Sequence, residues 1–215
     1  SQADILSMMA AANRNESFVE TTLVPALSSS NPSTRMAAAG EIATSRNKKY
    51  TPALLDYLMK TSDPAELEAA KSAVLQLTDK DSGVLLAQKI GTAQPANKVV
   101  LLQILAARRS VENFSAVAME AHSNDAVVKN AAFEALPYVS SGSHLGELLQ
   151  MLFVNGNDKE LKAIQSAIVS ALDKNSGSLI NEAYQKEKIK ILPVLPYVDD
   201  ATALEKVVST FYHGS

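Results

Sequence analysis

The sequence predicts an all-α protein, an α-solenoid built from about seven antiparallel helix hairpins. Three observations support this fold class. Turn-forming residues are scarce, a short polar turn recurs about every 31 residues, and the apolar residues that follow each turn are spaced for helices.

The composition favours helices over sheets. The 215 residues include only 8 glycines and 8 prolines, while hydrophobic residues make up 47% and charged residues 20%. Few glycines and prolines disfavour β-sandwiches and glycine-rich phosphate loops. Abundant alanine favours helices and lets them approach closely. The hydrophobic content is sufficient for a buried core.

The recurring turn is a pair of polar or proline residues. The second residues of successive pairs are 30 to 33 residues apart, which indicates a repeat array. Asn and Asp cap helices, and proline suits the first helical turn. The five pairs are Asn31-Pro32, Asp63-Pro64, Gln94-Pro95, Asn124-Asp125 and Asn157-Asp158.

The first helix of each repeat follows the turn, with apolar residues three and four positions apart. In the fifth repeat these are Val128, Ala131, Ala132, Ala135, Leu136 and Val139, and in the sixth Leu161, Ile164, Ile168, Val169 and Leu172. Several of these helices carry an early basic residue: Arg35, Lys98, Lys129, Lys162 and Lys188. The third repeat departs from this pattern, with Glu68 nearby instead.

The second helices are predicted to begin at residue types that favour N-caps. These starts are near Thr51, Asp81, Ser110, Ser143, Ser176 and Asp200. Their aligned apolar cores are Leu54/Leu55/Leu58, Leu85/Leu86/Ile90, Val117/Ala121 and Leu148/Leu149/Leu152. Helices this short need neighbouring repeats to cover their apolar faces.

Both ends of the chain fit the repeat. Leu-Pro-Tyr-Val occurs at 136–139 and again at 195–198, and the offset of 59 also relates Leu145, Leu148 and Leu149 to Leu204, Val207 and Val208. Pro137, Pro193 and Pro196 should kink or end their helices. At the N-terminus, one predicted apolar face comprises Ile5, Met8, Met9 and Ala12, and a second comprises Phe18, Val19, Thr22, Leu23, Ala26 and Leu27.

These patterns divide the chain into seven repeats within one domain, 1–215. The predicted boundaries are 1–29, 30–61, 62–92, 93–123, 124–156, 157–184 and 185–215.

The paired-helix repeat resembles short HEAT repeats in its Asp-Pro or Asn-Asp openings, early Arg or Lys and small residues in the first helix. The resemblance spans the whole chain and implies an armadillo-like superhelix. The tetratricopeptide pattern is absent, since the chain has no tryptophan. Similar HEAT modules occur in large exported bacterial proteins beside domains resembling 3-keto-disaccharide hydrolases, so the resemblance implies such a parent protein.

Solenoids usually end in repeats with a polar outer face. The last predicted helix, residues 204–212, keeps the apolar positions of an internal repeat. We therefore expect the natural chain to continue beyond Ser215, with an extension before Ser1 left open. A natural end with a modest cap is the alternative.

Charge and cysteine content narrow the function classes. The net charge of −3 and the absence of an evident basic stripe disfavour nucleic-acid binding. The small basic clusters at 46–49, 108–109 and 186–190 are interpreted as helix ends. With no cysteine, disulfides and thiolate sites are excluded, and export is favoured without being required. Neither a membrane span nor a signal peptide is recognisable in this sequence.

No catalytic, cofactor or metal site is predicted. His122, His144 and His213 lack the spacing of metal ligands, and each is interpreted as a surface or cap residue. The neighbouring acids at 79–81 and 199–200 are interpreted as helix caps. Nucleotide-binding and nucleophile-elbow fingerprints do not occur.

The predicted function is a non-catalytic protein-interaction or scaffold module, whose partner is another protein or an adjoining domain of the same chain. The candidate binding residues lie at aligned positions of the second helices, which line the concave face of HEAT arrays: Tyr57, Gln88, Met119 and Met151. Packing between repeats is the alternative role for these residues. The alternative functions are a HEAT-like enzyme of the DNA glycosylase or chromophore lyase type, an accessory module beside a glycoside-hydrolase-like domain, and a spacer without a partner. The sequence leaves the oligomeric state open.

Overall fold

A computed structural model describes residues 1–12, 15–77, 82–199 and 209. The chain divides into two compact parts, Ser1–Arg108 and Arg109–Ser215, which we call the N-terminal and C-terminal halves. The division lies within the predicted fourth repeat, between its two helices. Every regular element in the described residues is helical, which confirms the all-α fold class. A single domain spanning 1–215 stays a prediction.

The N-terminal half contains eight α-helices among its described residues. They are α1 (Gln2–Ala12), α2 (Glu16–Phe18), α3 (Val24–Ala26), α4 (Pro32–Thr44), α5 (Thr51–Lys60), α6 (Pro64–Leu77), α7 (Gly83–Ile90) and α8 (Pro95–Ala107). A π-helical turn, Val19–Leu23, joins α2 to α3. The first helices α1, α4, α6 and α8 contact one another in order, and α5 and α7 contact the first helix of the following repeat.

The C-terminal half repeats this arrangement. Its described α-helices are α9 (Phe114–Glu120), α10 (Ala126–Val139), α11 (Leu145–Val154), α12 (Asp158–Ala171), α13 (Gly177–Lys186) and α14 (Lys188–Ile191). A 3₁₀ segment, Leu192–Tyr197, follows α14. Helix α9 contacts α10, and α11 contacts α12, so second helices again lie against the first helix of the next repeat. Both halves therefore consist of HEAT-like helix hairpins.

Each of the first six predicted repeats contains a pair of helical segments, with one shifted boundary. Helix α13 continues to Lys186, so the predicted boundary after residue 184 lies inside a helix. The seventh repeat is described only through α14 and its 3₁₀ segment. The predicted helix starts at Asp81 and Asp200, and the aligned residues Leu204, Val207 and Val208, lie outside the described residues, as does His213.

The recurring turn caps first helices as predicted. Four side chains accept hydrogen bonds from the free backbone N–H groups of the first turn: Asn31 before α4, Asp63 before α6, Asp125 before α10 and Asn157 before α12. A Ser, Thr or Asn two residues earlier accepts the N–H of each capping residue. Gln94 makes no side-chain cap bond to α8, since its longer side chain suits that geometry poorly.

Helix α5 begins at the predicted Thr51 and α13 directly after Ser176, but the predicted residues do not cap the second helices through their side chains. The described second helices α5, α9 and α11 are each preceded by a 3₁₀ turn, and no side chain caps their first α-helical turn. Ser176 precedes α13 as predicted, but its hydroxyl bonds to Asp173 instead of capping the helix. The 3₁₀ turn supplies local backbone bonds at the helix start, and before α5 and α11 the side chains of Asn47 and Ser141 cap that turn instead.

The predicted core residues lie where repeats meet. Val128, Ala131, Ala132, Ala135, Leu136 and Val139 of α10 are all buried, as are Leu54, Leu55 and Leu58 of α5. In α12, Ile164 and Ile168 are buried, while Leu161 and Val169 are half-buried. The helical periodicity of the sequence therefore identifies the packed faces of these helices correctly.

The predicted apolar face of α1 is wrong. Ile5, Met8 and Met9 are 59%, 73% and 47% exposed, whereas Leu6 and Ala10 are buried. Helix α1 contacts α4, whose buried residues include Ala38 and Ala39. Both candidate faces of α1 have helical spacing, so periodicity alone could not distinguish them. The larger side chains are the ones that solvent reaches.

In the first helices α4, α6, α8, α10 and α12, the third residue occupies an enclosed position. Four of these residues are buried and Glu160 is largely buried, yet their chemistry differs: Thr34, Glu66, Asn97, Val128 and Glu160. The Asn97 amide donates hydrogen bonds to the carbonyl oxygens of Leu58, at 2.6 Å, and Thr61, at 2.8 Å. It thereby satisfies carbonyls at the end of α5 that the helix leaves without partners.

The prolines end helices as predicted. Pro137 lies two residues before the end of α10. Pro193 and Pro196 lie in the 3₁₀ segment, where α14 stops after four residues. Missing amide hydrogens and ring clashes explain why the α-helix does not continue.

The link before α11 is held on two sides. The His144 ring stacks on Phe114, with centroids 4.1 Å apart, and its Nδ1 accepts the Ser141 backbone N–H at 3.1 Å. A Cβ atom at Gly142 would lie 2.5 Å from Oδ2 of Asp173, so a larger residue there would displace the Asp173 carboxylate. These contacts confirm the predicted cap role of His144 and fix the start of α11.

We expect Asp125→Ala to lower the free energy of unfolding by about 1 kcal/mol, because two backbone N–H groups of α10 lose their acceptor. Urea unfolding followed by circular dichroism measures this change. Gln94→Ala at the matched position of α8 is the control, since no cap bond is lost there. Equal effects of the two substitutions would contradict the capping role.

Stability should also depend on the protonation of His144. Burial lowers the pKa of His144, against a smaller opposing effect of the Glu147 carboxylate. The neutral His144 ring therefore contributes fully to the free energy of unfolding above the unfolded-state pKa near 6.5. This contribution is lost as the pH falls from there towards the lowered folded-state pKa. We expect His144→Phe, which keeps a stacking ring but cannot titrate, to flatten the fall in stability between about pH 7 and pH 5. Urea unfolding at several pH values tests this, with the exposed His122→Gln as the control; an unchanged slope in His144→Phe would refute it.

Candidate functional site

The four predicted binding residues divide into two pairs by exposure. Tyr57 on α5 and Met151 on α11 are 4% and 7% exposed, whereas Gln88 on α7 is exposed and Met119 on α9 is 72% exposed. Tyr57 and Gln88 belong to the N-terminal half and the two methionines to the C-terminal half. Their shared binding role stays a prediction, and the side chains of Tyr57 and Met151 offer a partner little surface.

Tyr57 belongs to a network with Arg35 and Glu66. The Arg35 guanidinium donates through Nε and Nη2 to the two carboxylate oxygens of Glu66, at 2.8 and 2.5 Å. The Tyr57 hydroxyl donates to Oε2 of the same carboxylate at 2.9 Å, and Arg35 Nη1 donates to the Ser29 carbonyl oxygen. The network therefore joins α4, α5 and α6.

This network lines a cleft of about 520 Å³ in the N-terminal half. The other walls are two links, residues 27–29 and 61–63, which include Asp63, together with Lys60 at the end of α5. The cleft brings together two cations, two carboxylates and a phenol, which is the set of groups that acid–base chemistry would use. Their protonation states decide whether they could do so.

Each group of the network is held in the charge state that it has at neutral pH. The hydrogen bonds of Arg35 lower the pKa of Glu66, and those of Glu66 raise the pKa of Arg35. Burial, together with the Glu66 carboxylate, raises the pKa of Tyr57 well above its usual range. A general acid or base needs a pKa near neutrality, so these shifts favour a stabilising role.

The C-terminal half contains the same network in simpler form. Lys129, Met151 and Glu160 have the spacings of Arg35, Tyr57 and Glu66, and Lys129 Nζ lies 2.8 Å from Glu160 Oε1. Asn155 replaces the tyrosine hydroxyl as the second donor to the carboxylate. The early basic residues noticed in the sequence thus include two that bind a glutamate in the next first helix. The same positions thus form a network in both halves, although the residue types differ. This indicates that both networks hold neighbouring repeats together.

A groove between α11 and α13 is the second candidate site. It has a volume of about 200 Å³ and runs between neighbouring second helices. Its floor is formed by the buried side chains of Leu149 and Ala183, and Leu179 on its wall is 43% exposed. At Gly146, a Cβ atom would meet no heavy atom within 4 Å. The groove is therefore apolar at one end, with open space where α11 lacks a side chain.

The other end of the groove is cationic. Lys186 Nζ lies 4.4 Å from the centroid of the Phe153 ring, in cation–π contact. No carboxylate of the described residues lies within ion-pair distance of Lys186 or of the exposed Lys188. Glu182 lies one turn before Lys186 on α13 and also lines the groove. A ligand would meet an apolar hollow and, farther along, an accessible ammonium group.

The N-terminal half has a smaller groove in the same register. It has a volume of about 160 Å³ and lies between α3 and α5. Four α5 residues line it at the spacing of Leu179, Glu182, Ala183 and Lys186, namely Ala53, Asp56, Tyr57 and Lys60. Asp56 forms an ion pair with Lys89, at 2.7 Å, whereas Glu182 forms none with the residues that the structure describes. Paired second helices thus form grooves in both halves, and the α11–α13 groove is the larger.

In the described ranges, no three His, Asp or Glu side chains gather as metal ligands. Within the same ranges, no helix has both the length and the apolar character needed to cross a bilayer.

The fold and these surfaces define a class: all-helical arrays of HEAT-like hairpins with grooves between second helices. Among solved structures, the chain is similar to the complex of CpcE and CpcF of phycocyanin lyase from Nostoc sp. PCC7120. The identity is 18% and the TM-score 0.42, over 96% of this chain and 86% of the other. A TM-score this low carries no inference about activity.

The sequence itself matches no family model and no curated protein. The relation to 3-keto-disaccharide hydrolases implied by the HEAT resemblance therefore has no support from these comparisons. The all-helical hairpin architecture follows from the chain's own helices.

Sequence reasoning missed Gly146, Phe153 and Leu179, and it placed Lys186 in a helix-end cluster. Two regularities could have found the groove. Gly146 and Leu179 are 33 residues apart, as are Phe153 and Lys186, and this equals the offset between the fifth and sixth repeats. Residues at that offset on neighbouring second helices lie level with each other.

We expect Glu66→Gln to lower the free energy of unfolding by about 2 kcal/mol at neutral pH, because charge-assisted hydrogen bonds in a buried network are lost. Since the folded-state pKa of Glu66 is lowered, its contribution is present above the ordinary glutamate pKa near 4.5 and is lost as pH falls through the lowered value. The difference between wild type and variant should therefore shrink in acid.

Urea unfolding at about pH 7 and about pH 3 measures both effects. Glu134→Gln, in the exposed pair of Glu134 with Lys159, is the control and should change stability little. A Glu66→Gln penalty that persists unchanged in acid would refute the ionic role.

Proposed function

We propose that this chain is a protein-interaction module that binds a partner through the second helices of its repeats. The single observation that carries the proposal is the α11–α13 groove, which combines an apolar floor, open space at Gly146 and an accessible lysine. An exposed apolar surface rimmed by polar groups is typical of protein-binding sites. Met119 adds a second exposed apolar side chain on a described second helix of the same half.

The charge of the second helices supports a protein partner over nucleic acid. The described helices α5, α7, α9, α11 and α13 carry three lysines and four glutamates or aspartates. A DNA glycosylase needs a basic groove that can neutralise phosphates. The near balance of charge on these helices does not favour that alternative.

A chromophore-lyase activity is the remaining enzymatic alternative from the sequence. The solved structure similar to this chain is described as a phycocyanin lyase complex of two proteins, CpcE and CpcF. The low TM-score lends this alternative no weight. The charge states of Arg35, Tyr57 and Glu66 also argue against using the N-terminal cleft for proton transfer. A binding role through helix surfaces remains the function that the site geometry supports best.

The proposal is tested with matched glycine variants. Gly146→Phe should fill the groove without disturbing the fold, because no heavy atom lies within 4 Å of the new Cβ. Gly40→Phe places the same side chain on the first helix α4, where the space is equally open. Wild type and both variants are immobilised and exposed to extract of the source cells, and retained proteins are identified by mass spectrometry.

We expect at least one protein to bind wild type and Gly40→Phe and to be lost from Gly146→Phe. Circular dichroism and urea unfolding confirm that all three chains are folded. Identical sets of retained proteins on all three would contradict a binding role for this groove.

A further inference from the structure

The α11–α13 groove has a direction, which constrains its occupant. Gly146 lies level with Leu179 at one end, and Phe153 lies level with Lys186 at the other, as the 4.4 Å contact between Lys186 Nζ and the Phe153 ring shows. The two ends are seven residues apart on each helix, or about 10 Å at 1.5 Å per residue. A ligand that fills the groove therefore spans about two helical turns.

The apolar end accepts a single large side chain. The whole groove has a volume of about 200 Å³, and its apolar end, floored by Leu149 and Ala183 and walled by Leu179, has room for one aliphatic or aromatic group. Both floor residues are buried, so the hollow is fixed by the packing of the repeats. Burying one Leu-sized side chain there would stabilise the complex, as buried anchor residues do at other protein interfaces.

The polar end of the groove favours a ligand that carries a negative charge. Lys186 and Lys188 are exposed and have no carboxylate within ion-pair distance among the described residues. At the C-terminal end of α11, Lys190 Nζ binds the Phe153 carbonyl oxygen at 2.7 Å. The Phe153 carbonyl oxygen is thus already bound by Lys190, and the ammonium group of Lys186 remains available for an incoming anion.

We propose that the groove binds a helical segment of another protein that carries a large apolar residue and, two turns away, an acidic residue. The apolar side chain enters the hollow beside Gly146, and the carboxylate pairs with Lys186 over the Phe153 ring. A helix is the occupant because residues seven apart on a helix lie on one face at the spacing of the two ends. This inference rests on the proposed function and specifies its partner.

The probe is a library of single helices displayed on phage, with surface positions randomised. It is selected on wild-type chain and counter-selected on Gly146→Phe. Enriched helices should share an apolar residue and an Asp or Glu seven positions away. Affinities of the enriched helices are measured as synthetic peptides against wild type, Gly40→Phe, Gly146→Phe and Lys186→Glu.

We expect binding to be lost with Gly146→Phe and kept with Gly40→Phe. Lys186→Glu should weaken binding about threefold to fivefold at low salt, since an exposed ion pair contributes little more, and the weakening should diminish as salt rises. Replacing the peptide's acidic residue by lysine should restore binding to Lys186→Glu. All three chains must show the circular dichroism of the wild type.

The outcomes separate the two proposals. Peptides that depend on Gly146 but ignore the charge at Lys186 would overturn the acidic-helix inference and leave the interaction surface intact. Failure to enrich any peptide that depends on Gly146 would overturn both. Concentration-dependent self-association of the chain that Gly146→Phe abolishes would identify a second copy as the occupant, and would also overturn the inference.

Discussion

The structure depends on the burial of helix faces that no single helix can cover. Its described α-helices are short, from 14 residues in α6, α10 and α12 to three in α2 and α3, and isolated helices of this length are marginal in water. The second helices α5, α7, α9, α11 and α13 each contact the first helix of the following repeat. Within each half, the position of a hairpin is therefore set by its neighbour, and the polar contacts add to an arrangement that this burial establishes.

The same stacking creates the candidate site. Equivalent second helices lie side by side, so a residue missing on one helix leaves space that its neighbour does not fill. Gly146 is such a residue on α11, and the groove beside it ends where Phe153 and Lys186 meet. The Arg35–Tyr57–Glu66 network lies in the other half and holds its own repeats together. One type of repeat thus provides a stabilising cluster in one place and an open groove in another.

The sequence predicts what is decided locally. The caps at Asp125 and Asn157 and the buried face of α10 follow from side-chain chemistry and helical period, and both are confirmed. The exposed face of α1 and the 3₁₀ turns before second helices were missed, because neighbouring helices decide them. Alignment placed Tyr57 and Met119 at equivalent positions, but only the surrounding packing makes one buried and the other exposed. Gly146 was missed because a groove is a property of two helices.

The varied third residue of the first helices bears on how the chain avoids misassembly. A stack of near-identical hairpins could exchange neighbours or slip by one repeat while keeping its apolar contacts. Here such a slip would enclose the Glu66 carboxylate without Arg35, or leave the Asn97 amide without the carbonyls of α5. An enclosed charge or amide without partners is costly. The differing polar residues therefore make each repeat fit one position in the array. A wrong order of repeats is destabilised by unpaired buried groups even where the apolar contacts would allow it.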